Sequence, residues 1–217
     1  MFLSRTNQLF PESLKFTKKN RLYYRGNANL LNNKSIAIVG SRKLSEYGKK
    51  NALEFSKYLS KSGYTIISGL AKGIDSYAHL GGMEGEGKTI AVLPSGINQI
   101  YPKENTLLAK NIVQNGGLLI SEYDDDETIQ LKYFSKRNEI IALLSDCILL
   151  IEAGERSGST NTARYGFKHN IPVFCLPGRI DDINSRGTNL LLSQGAHIAF
   201  NPQMIIDFLN KEIKKKH

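Results

Sequence analysis

With 217 residues, the chain is long enough for one well-cored domain with short appendages, and its 41% apolar content and 19 glycines fit a soluble fold rich in tight turns. No run approaches the ~20 apolar residues of a membrane span; the two cysteines lie in separate apolar runs and the four histidines are scattered, which disfavours a membrane protein, a disulfide scaffold and a metal centre. The net charge of +9 is uneven: residues 1–34 carry seven Lys/Arg against one acid, 203–217 carry four against two, and the interior is nearly balanced, so any polyanion must meet a local patch and not bulk charge.

The chain opens on MFLSRTNQLFPESLKFTKK, which has no continuous apolar core and does not read as a secretory leader. Residues 1–34 are expected to form a short basic extension. Strand-like runs then recur: SIAIVG (35–40), YTIISG (64–69), TIAVL (89–93), GLLISE (117–122), CILLIE (147–152), PVFCLP (172–177) and AHIAF (196–200). They are continuously apolar and not alternating, as in a sheet covered by helices on both faces. Between them lie helical patterns, among them NALEFSKYLSKSG, KENTLLAKNIVQNG and RNEIIALLSD, and residues 201–217 close the chain as an amphipathic helix with a basic tail. The expected fold is α/β: a Rossmann-like, doubly wound, mostly parallel sheet over residues 35–200.

Ligands of such sheets sit beyond the carboxyl ends of the strands, and those positions are rich in glycine, hydroxyls and cations. The first run ends in Gly40-Ser41-Arg42, the second in SGLAKGID with Gly69, Lys72 and Gly73, and the fifth in EAGERSGST with Ser157, Gly158 and Ser159, followed by Thr162. Glycine lets backbone approach a ligand, hydroxyls and amides at a helix start suit a phosphate, and arginine offers a planar fork of donors. There is no GxGxxG after the first run and no lysine in Walker register, so neither a dinucleotide cofactor nor NTP hydrolysis is expected. FSKRNEII (134–141) places Phe134 beside Lys136, Arg137 and Asn138. Composition leaves two readings open for it: a base-stacking ring among phosphate-binding cations, or a loop anchored by Phe134 in which Arg137 caps or pairs with a strand-end acid.

These blocks resemble the DNA-processing protein A (DprA/Smf) family. The matching text runs in order through AIVGSR, SGLAKGIDSYAH, TIAVLPSGINQIYPKEN, GLLISE, FSKRNEIIALLSD, LIEAGERSGSTNTA, VFCLPG and SRGTNLLLSQGA, covering nearly all of 35–200. The resemblance implies a non-enzymatic single-stranded DNA-binding protein of the bacterial cytoplasm, without cofactor or metal, acting in natural transformation. Such proteins protect incoming strands, assist loading of the RecA recombinase and form homodimers. The implied DNA contacts are Gly40, Ser41, Arg42, Gly69, Lys72, Gly73, Phe134, Lys136, Arg137, Asn138, Ser157, Gly158, Ser159 and Thr162, with Glu152 holding neighbouring cations in place. The chain departs from the family in carrying Glu139 where a second arginine is common, and in leaving about 34 residues before the first run where many members carry a further helical domain. Two other readings use the same cradle: a mononucleotide sensor, and a phosphoribohydrolase. The second lacks its acid, because Tyr165 stands at that register, leaving Glu152 or Asp75 as substitutes.

Overall fold

The computed structural model describes residues 1–15 and 20–215, the side chains of 213–215 excepted, so Lys18 and Lys19 of the basic extension, the Ile213 side chain and the last two residues fall outside it. Two strands come first, β1 (Phe2–Ser4) and β2 (Arg21–Gly26). The seven expected runs follow as β3 (Ser35–Val39), β4 (Thr65–Ser68), β5 (Thr89–Val92), β6 (Leu118–Ser121), β7 (Cys147–Leu150), β8 (Val173–Cys175) and β9 (His197–Ile198). Between them lie α1 (Glu46–Lys61), α2 (Ile74–Met83), α3 (Thr106–Gln114), α4 (Leu131–Leu143), α5 (Gly158–Lys168) and α6 (Arg186–Ser193); α7 (Pro202–Lys215) closes the chain.

The nine strands form one sheet in the order β1-β2-β6-β5-β4-β3-β7-β8-β9. β3 to β9 are parallel, while β2 joins β6 antiparallel with Tyr24 opposite Ile120, and β1 folds back on β2. The opening segment therefore extends the sheet: Leu3, Phe10, Leu14 and Leu22 are buried in the main core. Its buried apolar residues are widely spaced, and the rest of β1 and β2 is partly or fully exposed, which is why no continuous run betrayed it.

Alternate residues of the central strand face opposite helical layers. Ala37 and Val39 join Ile140, Ile141, Ala163 and Leu191 of α4, α5 and α6, whereas Ile36 and Ile38 join Phe55, Leu59, Ile74, Ile205 and Leu209 of α1, α2 and α7. The apolar face of α7 thus covers its own sheet. Phe208 sits edge-on to Phe174 at 5.3 Å.

His79 of α2 is fully buried beneath the loop after β4. Its Nε2 accepts from the Leu70 amide at 3.2 Å, and its Nδ1 lies 2.8 Å from the Thr89 hydroxyl, which donates to the Ile66 carbonyl. This chain of bonds requires the neutral ring, and burial drives its pKa down from 6.5 to about 3. The folded state holds His79 neutral while the unfolded state protonates it below about 6.5. Stability is therefore intact above that pH and lost as pH falls toward 3. The expected contribution to the slope is up to about 1.4 kcal/mol per pH unit, read as the difference between chemical denaturation of the wild type and His79→Gln from pH 7 to 4. Parallel slopes would contradict it.

Candidate nucleic-acid interface

The winding reverses at β3: β4, β5 and β6 are laid on one side, β7, β8 and β9 on the other. At such a switch point the connections leave in opposite directions and open a crevice at the strands' carboxyl ends. Here the crevice lies between the turn after β3 and the start of α5 after β7.

The Gly40-Ser41-Arg42 turn is tightly fastened. The Ser41 amide donates to the Glu152 carbonyl at 2.7 Å, the Ser41 hydroxyl donates to the Lys43 carbonyl at 2.9 Å and accepts from the Lys43 amide at 3.1 Å. The Ile74 amide donates to the Ser41 carbonyl at 3.1 Å. Gly73, at φ +83°, presses its α-carbon against that carbonyl and the Arg42 backbone, a position closed to a side chain by both conformation and space. A rigid turn thus presents exposed Arg42 and Lys43, and no carboxylate lies within ion-pair distance of either among the described residues.

Phe134 and Lys136 sit on α4, which begins at Leu131, and not on a loop before it. Helical spacing then separates the FSKRN residues: Phe134, Arg137, Asn138 and Ile141 share one face and line the crevice, while Lys136 lies outside it. Lys136 stands 3.9 Å from Glu139, which also faces His169 at 3.6 Å. Glu139 thus makes intramolecular contacts away from the groove.

Arg137 is only 4% exposed. Its Nη1 donates to the Gly69 carbonyl and lies 3.5 Å from that of Val92, and a Cβ on Gly69 would overlap the guanidinium. Asp75 shares this niche, its Oδ2 accepting from the Gly69 and Ala71 amides at 3.2 and 3.4 Å. Burial raises the Asp75 pKa against the opposing pull of Arg137, and burial likewise pushes Arg137 down to about 10, still charged at neutral pH. Of the two readings left open for Arg137, the geometry matches capping of strand ends, because Nη1 meets the carbonyls that close β4 and β5 while no acid lies within ion-pair distance of it among the described residues; its edge still lines the crevice.

After β7, Ser157 caps α5 by accepting from the Thr160 amide at 3.3 Å, and the Thr160 hydroxyl returns to the Ser157 carbonyl at 2.7 Å. Asn138 donates to the Gly158 carbonyl at 3.1 Å, joining α4 to this turn. Ser157, Gly158, Ser159 and Thr162 all line the crevice, with nothing within 4 Å of where a Gly158 Cβ would stand. Glu152 does not hold cations. Its buried carboxylate accepts from the Ser45 amide at 3.0 Å and from the Ser45 hydroxyl, securing the start of α1. Both carboxylates considered as stand-in acids are thus held by amide or serine donors, and the Tyr165 hydroxyl is 2.8 Å from Ser135.

The crevice comprises two compartments. The larger, of about 520 Å³, lies among Gly40 to Lys43, α4, the α5 start, Ile183 and Asn184. The smaller, of about 230 Å³, is lined by Arg42, Gly69, Lys72, Tyr101, Pro102 and Phe134. Lys72 there is paired with Glu104 at 2.6 Å. The wall between the two is Phe134 with the Arg42 guanidinium 5.4 Å over its ring, and Tyr101 meets Phe134 edge-on at 5.8 Å. Tyr101, Lys43, Ile183 and Asn184 were not singled out from sequence, although IYPKEN and the loop before SRGTN both follow strands, which was the available signal.

Sheet, switch point and rim define a doubly wound α/β protein with an open, cation-bearing groove at the carboxyl ends of its strands and no dinucleotide fingerprint. The chain belongs to the DNA recombination-mediator protein A family, whose model matches residues 1–210. It is 39% identical over 188 residues to protein Smf of Escherichia coli, covering 87% of this chain and 50% of that protein. It is 38% identical to the DNA processing protein DprA of Streptococcus pneumoniae, covering 65% of that protein. The chain thus spans half to two thirds of these relatives. The solved S. pneumoniae structure superposes with a TM-score of 0.89 at 35% identity, covering 95% of this chain and 73% of that one. DNA processing protein A of Helicobacter pylori, described for its single-stranded DNA binding mode, superposes with a TM-score of 0.84 at 32% identity, covering 100% of this chain and 98% of that one. Among the described residues no helix is long and apolar enough to cross a membrane, and no group of His, Cys, Asp or Glu is placed to hold a metal.

Proposed function

We propose that the groove binds single-stranded DNA with little regard to base identity, without catalysis and without a cofactor. The observation that carries this reading is the shared wall of the two compartments, where an unpaired guanidinium lies over an aromatic ring. A strand needs both together: a cation for its phosphates and a π-face for its unstacked bases. The hydroxyls and first-turn amides of α5 add neutral donors to the same backbone. The near-complete match to the H. pylori protein, whose structure concerns single-stranded DNA, supports the same substrate.

On this reading the chain serves natural transformation in the bacterial cytoplasm, shielding incoming strands and assisting the RecA recombinase. The chain would act as a homodimer, and the apolar Ile198 and Phe200 exposed beside edge strand β9 support a protein contact. A crystal structure with a short oligothymidine tests the assignment: the strand should run between Arg42, Phe134 and Ser159. Ordered DNA elsewhere, with that groove empty, would contradict it.

A further inference from the structure

The loop between β8 and α6 carries two isoleucines that packing does not explain. Ile180 is 91% exposed and Ile183 68% exposed. Yet the loop is closely tied down. At its base the Gly178 amide donates to the Asn189 side chain at 3.2 Å and the Asn189 amide group donates back to the Gly178 carbonyl at 3.0 Å. Arg179 forms a fork to Asp181 at 2.8 and 2.9 Å, and Asp182 accepts from the Asn184 amide at 2.9 Å. The Ala153 amide donates to the Asn184 carbonyl at 2.7 Å, which fixes the loop to the turn after β7. A fastened loop therefore holds two β-branched apolar side chains in solvent, where their exposure is unfavourable. Ile183 lines the larger compartment together with Arg42 and Ser159, while Ile180 lies outside it and borders a separate hollow with Glu155, Arg186, Asn189 and Leu190.

We infer that Ile180 and Ile183 are an apolar lip on the DNA groove, against which bases lie as the strand leaves the larger compartment. This rests on the groove being the DNA site. The occupant is argued from continuity: Ile183 and Arg42 border one cavity, so a backbone held at Arg42 brings its bases within reach of the isoleucine, and Ile180 extends the apolar surface just outside. An aliphatic surface offers area without hydrogen-bond demands and fits binding that ignores base identity. It also lacks charge, which separates its effect from that of the cations.

The test is an anisotropy titration of the Ile180→Ser/Ile183→Ser double variant, the wild type and Arg42→Ala, each with a thirty-base oligothymidine and an abasic strand of equal length, over a salt series. The double variant is expected to bind oligothymidine roughly fivefold more weakly, as loss of partial burial of two isoleucines implies. Its dependence of log affinity on log salt should match the wild type, because no phosphate contact is lost, and on the abasic strand it should bind as the wild type does. Undiminished oligothymidine affinity, or an equal loss on both strands, would overturn the inference. A changed sedimentation coefficient would also overturn it, assigning the isoleucines to a protein contact. If Arg42→Ala binds both strands as the wild type does, the DNA site itself is misplaced and the lip falls with it; a normal loss with Arg42→Ala beside an unaffected double variant rejects the lip alone. Both side chains are exposed, so an unchanged melting temperature is expected and verifies folding.

Discussion

Arg137→Ala should lower the unfolding free energy by about 2–4 kcal/mol, because it takes a buried donor from the Gly69 carbonyl and removes the charge that opposes the burial of Asp75. The guanidinium lies across Gly69, donates to that residue's carbonyl and opposes the burial of Asp75. Removing it strands both groups, and the vacated volume adds a cavity cost. The pH response follows by sign. The Asp75 pKa is raised in the folded protein, and losing Arg137 raises it further, so the folded variant holds a proton that the unfolded chain releases. Stability of the variant should then be greatest in mild acid and fall as pH rises through the folded pKa of Asp75, more steeply than in the wild type. Adding Asp75→Asn should recover part of the loss, since the amide oxygen can still accept from Gly69 and Ala71. Urea denaturation of the single and double variants from pH 5 to 8 reads all three effects. A loss below about 1 kcal/mol, with no pH difference, would show that Arg137 is not a structural member of the rim.

That role for Arg137 marks where the sequence stopped being informative. The seven parallel strands were legible because each lies in an apolar run ending in glycine or a polar cluster; burial on both faces produces that signature in β3 to β8, whereas β9 at the edge is exposed. β1 and β2 lacked it, because Leu3 and Leu22 are their only buried residues. The strand-end rule placed the groove, since it depends on topology and not on side-chain detail. What it left undecided was which cations face a ligand. Lys136 and Arg137 are adjacent in sequence, but a helix beginning at Leu131 turns them roughly 100° apart, sending one to Glu139 and the other into the niche at Gly69. Placing the helix start at Arg137 concealed that division. Glu152 was misread for a related reason: its partner Ser45 is far along the chain, and only the closing of β7 against β3 brings them together. Ile183 and Tyr101 had no compositional signal beyond lying after strands.

Arg42, like Lys43 beside it, has no carboxylate within ion-pair distance among the described residues. It stands on a turn secured through Ser41 and Gly73, over the Phe134 ring and at the border of both compartments. Because the turn is held by backbone and Ser41 groups, Arg42→Ala should fold with unchanged stability while affinity for oligothymidine falls about tenfold or more, the range of a charge-assisted hydrogen bond. Arg42→Lys should fall between, keeping the charge but losing the planar fork. Phe134→Leu should weaken binding without altering the salt response, since stacking releases no counterions.

The central claim is that a few fixed cations and donors on the carboxyl rim neutralise the sugar-phosphate chain. It is tested most directly by the slope of log affinity against log salt for a thirty-base oligothymidine, measured on the wild type and Arg42→Ala. The account predicts a linear decline for the wild type, a slope shallower by about 0.7 for the variant, and weaker binding of a matched duplex. Equal slopes and equal affinities for the two proteins, or a folded wild type that does not bind the single strand at low ionic strength, would contradict it.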